Sequence, residues 1–344
     1  MADHPKTPHD SLIQKLLESP QRASVVLREN MPKAVRERLV DDLPEPLPGS
    51  FVEPNLRKTY SDRLFRAWLQ DGCPVFIYVL IEHKSDPEPK TPLQLLGYMQ
   101  RIWLRYVEDK REGQAERARN LPPIIPLVIY NGSREWNMPL SLLDCIKADE
   151  QIRQLQSHFG YQLRHLRADE ADESYSQDPQ VRSVFRAMAW AYLESLSRDQ
   201  LEKLLEDLPS GHPLEKPLLV YLIQVHGNTI EQSDLNYAVT QNRSGERAEE
   251  LTMAVAEEWR QEGRKEGRQE GRKEGWKEGS QEGQQRGRLE AKASDLLRLI
   301  ERKFGSQAKR LYKERVENAS LEQLDHWFDR AIDAARVENV FAED

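Results

Sequence analysis

Hydrophobic and polar positions alternate with two different periods along the chain, and each period predicts a different kind of element. Between residues 10 and 40, Leu12, Ile13, Leu16 and Leu17, then Val25, Val26 and Leu27, recur near helical spacing, with Pro20 and Pro32 as punctuation. Two or three short helices are expected there. Residues 43–56 are proline-rich and read as irregular, and residues 60–69 alternate loosely before the turn signal Gln70-Asp71-Gly72. Residues 75–81 are apolar on both faces and mostly β-branched or aromatic, the pattern of a strand covered on both sides of a sheet. This is the expected central strand. Residues 92–109 look helical, with Leu93, Leu96, Ile102, Trp103 and Tyr106 available for one broad apolar face. Residues 124–130, ending at Asn131-Gly132, form a second buried-strand candidate, and residues 161–166 a third. Strand, helix, strand in that order predicts a mixed α/β sheet flanked by helices.

Beyond residue 180 the pattern turns helical, over 181–197, 199–208 and 214–225, and reads as helical cover for the sheet. Residues 261–288 are an internal repeat of period four, with Gly263, Gly267, Gly271, Gly275, Gly279, Gly283 and Gly287, and Glu before each of the first six. In a helix these glycines wind slowly round the axis, because a turn takes 3.6 residues. Each also costs about 1 kcal/mol relative to alanine. The default reading is a partly helical linker; the alternative is that the glycines let two copies approach and pair. After it, residues 291–304 are amphipathic, Gly305 suits a helix end, and Ser320-Leu321-Glu322-Gln323 has the form of a capping box. The helix it opens is expected to bury Leu321, Leu324, Trp327, Phe328 and Ile332. A module of this size lies near the lower limit for stability alone, which points to a homo-oligomer through repeat and module. The expected parts are therefore 1–170 for the sheet domain, 171–260 for a helical extension, 261–288 for the linker and 289–344 for the C-terminal helical module. Translation begun at Met253 would give repeat and module alone.

Across all 344 residues, 50 basic and 58 acidic groups leave a net charge of −8. That total argues against a histone-like nucleic-acid binder. By segment it is −1 over residues 1–150, −7 over 151–261, +2 over 262–288 and −2 over 289–344. The acidity thus sits in the helical middle and does not bear on the sheet. Only Cys73 and Cys145 are present, without Cys or His neighbours at metal-ligand spacing, so neither a disulfide framework nor a zinc site is expected. No signal-peptide pattern opens the chain, and the longest apolar run is far short of a membrane span. A cytoplasmic protein without membrane contact is the expectation.

The chemistry lies at the end of the central strand. Alternation places Glu82 and Lys84 on one face with Tyr78 and Leu80. A strand end is an expensive place for charge unless it is solvated, paired or bound to metal. Asp62 lies 20 residues earlier, where the hairpin through Asp71-Gly72 could bring its carboxylate close to Glu82. Two such carboxylates repel unless a hard divalent cation, Mg²⁺ or Ca²⁺, sits between them. A nearby lysine could orient the attacking water or stabilise charge developing on a phosphate oxygen. This is equipment for metal-assisted phosphodiester hydrolysis. Asp62 also suits a turn, and Glu82 with Lys84 a surface ion pair. Arg101, Arg105, Lys110, Arg111, Arg117 and Arg119 form the best basic run, either a solvated face or a set of phosphate contacts.

Asp62, Glu82 and Lys84 match the Asp, then Asp/Glu-x-Lys pattern of the PD-(D/E)XK nuclease superfamily. The surrounding phrases are more specific: Ser61-Asp62-Arg63-Leu64-Phe65, Tyr78-Val79-Leu80-Ile81-Glu82-His83-Lys84-Ser85, Tyr98-Met99-Gln100-Arg101-Ile102-Trp103, and Leu121-Pro122-Pro123-Ile124-Ile125-Pro126-Leu127-Val128-Ile129-Tyr130-Asn131-Gly132. Over about residues 5–245 the chain resembles the bacterial Rpn, or YhgA-like, recombination-promoting nucleases, whose opening phrase His9-Asp10 also matches. The resemblance implies a PD-(D/E)XK nuclease-like α/β fold and a metal-dependent DNA endonuclease connected with recombination or mobile-element and phage biology. Asp62, Glu82 and Lys84 would be catalytic, Asp62 and Glu82 holding the metal, and DNA would be the partner. Many relatives carry Gln in place of Lys84, so this chain is closer to the general superfamily pattern, which favours retained catalysis. Gln94-Leu95-Leu96-Gly97-Tyr98 resembles the Gln-hydrophobic-x-x-Tyr helix motif of RecB-like nucleases, making Gln94 and Tyr98 supporting candidates. Asp10 is either a helix cap or a site residue, and Arg101 and Arg105 are the DNA-binding candidates. The alternative is an idle nuclease fold acting as an oligomerising interaction or regulatory module.

Overall fold

Short polar caps and prolines divide the first thirty residues into helices, as the spacing predicts. The structure, a computed structural model, describes residues 7–48, 63–82, 87, 89–108 and 119–342, without the side chains of residues 81 and 82 and of nine repeat positions. Thr7 caps α1 (Pro8–Leu17), and Ser19 caps α2 (Pro20–Glu29), each followed by proline at the first helical position, where its missing N–H costs nothing. A single turn, α3 (Lys33–Arg36), follows. The proline-rich stretch read as irregular contains a three-residue strand, β1 (Glu45–Leu47), too short for any periodicity to show. Pro46 is tolerated because β1 lies at the sheet edge.

The sheet continues with β2 (Arg63–Trp68), β3 (Pro74–Glu82), β4 (Ile124–Tyr130) and β5 (Gln162–His165). Its order is β1-β2-β3-β4-β5, antiparallel from β1 to β3 and parallel from β3 to β5. The predicted central strand is therefore central, and the sheet is mixed. The β2–β3 hairpin turns at the expected place: Gly72 adopts φ +84°, a left-handed conformation that glycine takes without strain, and Asp71 Oδ1 accepts from the Cys73 N–H at 2.9 Å.

Alternation along β3 feeds two separate cores. Phe76, Tyr78 and Leu80 lie with Leu64 and Val128 against α4 (Thr91–Glu108), which buries Leu95, Tyr98, Met99 and Ile102. The buried face of α4 is displaced from the predicted one. Leu93 is exposed and Leu96 only half-buried, because the i, i+3, i+4, i+7 set that meets the sheet begins at Leu95. The Trp103 indole N–H fastens α4 to the Pro122 carbonyl at 2.8 Å, just before β4.

Ile77 and Val79 face the other way with Phe65, Leu127 and Ile129. Their core is completed by α1, α2 and the helices that follow two single turns, α5 (Glu150–Arg153) and α6 (Asp172–Tyr175). These are α7 (Pro179–Ala189), α8 (Arg198–Glu206), α9 (Glu215–His226) and α10 (Gln232–Asn242). The acidic middle of the chain is thus the cover for this face of the sheet. Glu215 is fully buried among α9, α10 and the start of the next helix, where it is paired with Arg243 and Arg247, and the Arg243 guanidinium also donates to the Leu205 and Leu208 carbonyls at 3.1 and 2.8 Å. A buried carboxylate so fully paired avoids the desolvation penalty that an isolated one would carry.

The repeat is helical throughout, inside α11 (Gly245–Phe304), 60 residues long. The chain divides into two compact units, Met1–Glu262 and Gly263–Asp344. Within the second, Gly305 at φ +91° ends α11, and α12 (Ser306–Glu317) and α13 (Leu321–Asp333) fold against it. The capping box is formed by Ser320 and Gln323. Leu296, Ile300, Val316, Leu324, Trp327, Ala331, Val340 and Phe341 make the core. Ile332 is exposed, and Leu321 and Phe328 are half-buried. Spacing of 324, 327 and 331 brings Ala331 to the core instead, one helical step of about 100° from Ile332.

Candidate active site

In a sheet with parallel strands, ligand chemistry gathers beyond their carboxyl ends. Here β3 ends at Glu82, β4 at Tyr130 and β5 at His165, and the ladder holds these three in one row: Glu82 is in register with Tyr130, and Tyr130 with His165. Asp62 and Lys84 lie outside the described residues, as does the Glu82 side chain; β2 begins at Arg63, opposite Val79.

The supporting candidates on α4 are brought together. Gln94 Nε2 donates to Tyr98 Oη at 3.1 Å, and the buried Tyr98 ring lies 4.9 Å from the Tyr78 ring on β3, four residues before Glu82. The Arg101 guanidinium stands over the Tyr98 ring at 5.7 Å, a cation–π contact. Arg101 and Arg105 are exposed one turn apart on the same helix. Arg119 is exposed, whereas Lys110, Arg111 and Arg117 lie outside the described residues. Asp10 serves the end of α1: Thr7, not Asp10, is the N-cap, and Asp10 is the third helical residue, whose carboxylate accepts from the Thr7 N–H at 3.1 Å.

Sequence reasoning missed two groups near the row. Tyr130 is fully buried between Trp136 (ring centroids 5.0 Å) and His165 (4.7 Å). A Cβ at position 132 would collide with the Tyr130 ring and hydroxyl, so Gly132 is required for Tyr130 to lie where it does. His165 Nε2 lies 3.3 Å from the Gly132 carbonyl, and a carbonyl only accepts, so this nitrogen is the donor of the pair. Beyond Trp136, burial pushes the Tyr161 phenol up to about 12; Trp136 Nε1 donates to it at 3.1 Å, and it donates to the Pro139 carbonyl at 2.8 Å. The second group joins His9 to Asn131 and Tyr221. Both include phrases visible in the sequence, but Ile-Tyr-Asn-Gly reads there as a strand followed by a turn. Among the described residues no three His, Cys, Asp or Glu side chains are grouped to hold a metal ion.

The YhgA-like putative transposase family matches residues 7–214, which include this sheet and its row of strand ends. The chain belongs to that family. Its kin in the PD-(D/E)XK superfamily include the recombination-promoting nuclease RpnD of Escherichia coli O157:H7, 35% identical over 136 residues, which are 38% of this chain and 49% of RpnD. RpnA of Escherichia coli K12, also described as a recombination-promoting nuclease, is 29% identical over 266 residues, 74% of this chain and 84% of RpnA. RpnE of the same strain, described as an inactive recombination-promoting nuclease-like protein, is 29% identical over 150 residues, 43% of this chain and 48% of RpnE. The chain thus spans about half the length of RpnD and more than four fifths of RpnA. No solved structure matches it.

Proposed function

We propose that this chain is a metal-dependent DNA endonuclease that hydrolyses phosphodiester bonds in recombination or in mobile-element and phage biology. The observation that supports this reading best is the position of Glu82, the last residue of the central strand, in the row with Tyr130 and His165. Asp62 is the residue before Arg63, with which the neighbouring strand begins. In this reading Asp62 and Glu82 hold Mg²⁺ or Ca²⁺, for which carboxylate oxygens are the suitable donors. Asn131, at the end of β4, adds a buried amide oxygen without a hydrogen-bond partner, an acceptor that suits water carried by a hydrated cation. The ion, when bound, would supply charge stabilisation and a more acidic water. Lys84 orients that water or stabilises the charge that grows on the phosphate. Gln94 and Tyr98 keep α4 seated on β3, and Arg101 and Arg105 meet DNA phosphates. Two exposed free cysteines, Cys73 and Cys145, suit a reducing cytoplasm; among the described residues no helix is long and apolar enough to cross a membrane.

The experiment is nicking of supercoiled plasmid by the purified full chain. Cleavage should require a divalent cation and stop with chelator, and Glu82→Ala and Lys84→Ala should each lower the rate at least about a hundredfold. Variants that cut as well as the unaltered protein would show that the site is elsewhere. The existence of an inactive relative, RpnE, favours a second reading: an idle nuclease fold that works as an oligomerising or regulatory module, with homo-oligomers formed through the repeat and the C-terminal helices. Binding of DNA or of a second copy without cleavage under any divalent cation would select it.

A further inference from the structure

Two phrases that the candidate catalytic residues leave unused, His9-Asp10 and Tyr130-Asn131-Gly132, meet in space. Asn131 Nδ2 lies 3.1 Å from His9 Nδ1, and Tyr221 Oη lies 2.9 Å from the same nitrogen. The imidazole and phenol rings meet edge to face at 5.5 Å. An amide nitrogen only donates, so Nδ1 is the unprotonated ring nitrogen and the ring proton sits on Nε2. Tyr221 is fully buried, and burial keeps its phenol protonated and available to donate. The single lone pair of His9 Nδ1 therefore faces two donors, one from α9 and one from the exit of β4.

The arrangement favours His9 over Asn131. Asn131 is 1% exposed, and its Oδ1 has no hydrogen-bond partner. A buried acceptor left unmade costs about 1–3 kcal/mol. Holding the amide nitrogen against His9 thus leaves the oxygen as the acceptor that water on the proposed cation would use. His9 is in turn fixed from below, since it is the second residue of α1, between Pro8 and the Asp10 of the capping box.

We propose that His9 is a positioning residue for the nuclease site: with Tyr221 it fixes Asn131, and through Asn131 it fixes the end of β4 beside Glu82. The proposal rests on the nuclease reading above. Tyr130, the residue before Asn131, is in register with Glu82, and its ring is confined by Trp136, His165 and Gly132. If the exit of β4 loosened, the neighbour of Glu82 would move with it. Small misplacements of this kind reduce turnover far more than they reduce substrate binding.

The test uses the full chain and three substitutions at one position. His9→Asn keeps an acceptor atom where Nδ1 was, His9→Gln moves it outward towards the position of Nε2, and His9→Leu removes it. In Mg²⁺-dependent plasmid nicking, His9→Leu and His9→Gln should lower kcat about tenfold or more with KM for DNA changed less than about threefold. His9→Asn should restore kcat to within about threefold of the unaltered protein. A second readout needs no cleavage: the rise in melting temperature on adding Mg²⁺ or Ca²⁺ to DNA-free protein should shrink in His9→Leu and return in His9→Asn. Should His9→Leu fail to fold, Tyr221→Phe removes one of the two donors and keeps the ring, and a reduced kcat is again expected. Unchanged kcat in these variants, or a His9→Asn as poor as His9→Leu, overturns the positioning role while the nuclease reading stands. An unaltered protein that cuts nothing with any divalent cation overturns the nuclease reading, and the role of His9 falls with it.

Discussion

Gly132 is the residue at which the local chemistry of the strand ends is most sharply constrained. A methyl group there meets the Tyr130 ring and hydroxyl, and that ring has no room to retreat, because Trp136 and His165 hold its other sides. Overpacking of this kind costs about 1–3 kcal/mol. Gly132→Ala should therefore lower the stability of the first unit by that amount, measured as the urea midpoint. The cause can be isolated by a double-mutant cycle. In a Tyr130→Leu background the same alanine should cost well under half as much, since the colliding ring is gone; an equal cost in both backgrounds would mean that the strain lies in the backbone.

At the scale of elements, α11 poses the clearest physical question. Its seven repeat glycines each weaken a helix by about 1 kcal/mol relative to alanine, yet a Cβ added at any of them would meet nothing within 4 Å. Among the described residues no packing calls for them. Replacing Gly267, Gly271, Gly275 and Gly279 together by alanine should raise helicity at 222 nm and the melting temperature of the full chain. If self-association measured by sedimentation falls at the same time, the glycines serve close approach between copies; if it is unchanged, they do not. The repeat also shows what periodicity can and cannot reveal. Its pattern made the helix legible but not its continuity, because i,i+3 and i,i+4 charge pairs offset only part of the glycine penalty. β3 was legible because both of its faces are covered, so residues 75–81 are apolar without a break. The face of α4 was misread by a fraction of a turn, since Leu93 and Leu95 are equally apolar and only the sheet distinguishes them. Of the candidate site, Gln94 and Tyr98 were singled out by their resemblance to a RecB-like helix motif, and their contact follows because four residues span about one helical turn. The contact of His9 with Asn131 and Tyr221 bridges 122 and 212 residues, and no local pattern encodes it.

For the whole molecule the decisive quantity is charge, and its distribution matters more than its sum. A net charge of −8 repels DNA at long range. The excess is carried by the helices that cover one face of the sheet, where Asp207 and Glu215 are already paired with arginines. On the opposite face α4 exposes Arg101 and Arg105. DNA that reaches the strand ends from that side meets local positive charge against a repulsive background, so affinity should be modest and dependent on few phosphate contacts. Each contact releases counterions and contributes nearly one unit to the slope of log affinity against log salt. Arg101→Gln and Arg105→Gln should each weaken DNA binding about equally for all sequences and flatten that slope by about one unit. Arg119→Gln, at an exposed position outside α4, should change it less. The measurement is fluorescence anisotropy of labelled duplex with Ca²⁺ across a salt series. Slopes unaltered in both α4 variants would place the DNA on another surface. A slope changed by Arg105→Gln alone would mean that Arg101 is committed to the Tyr98 ring, over which it already stands.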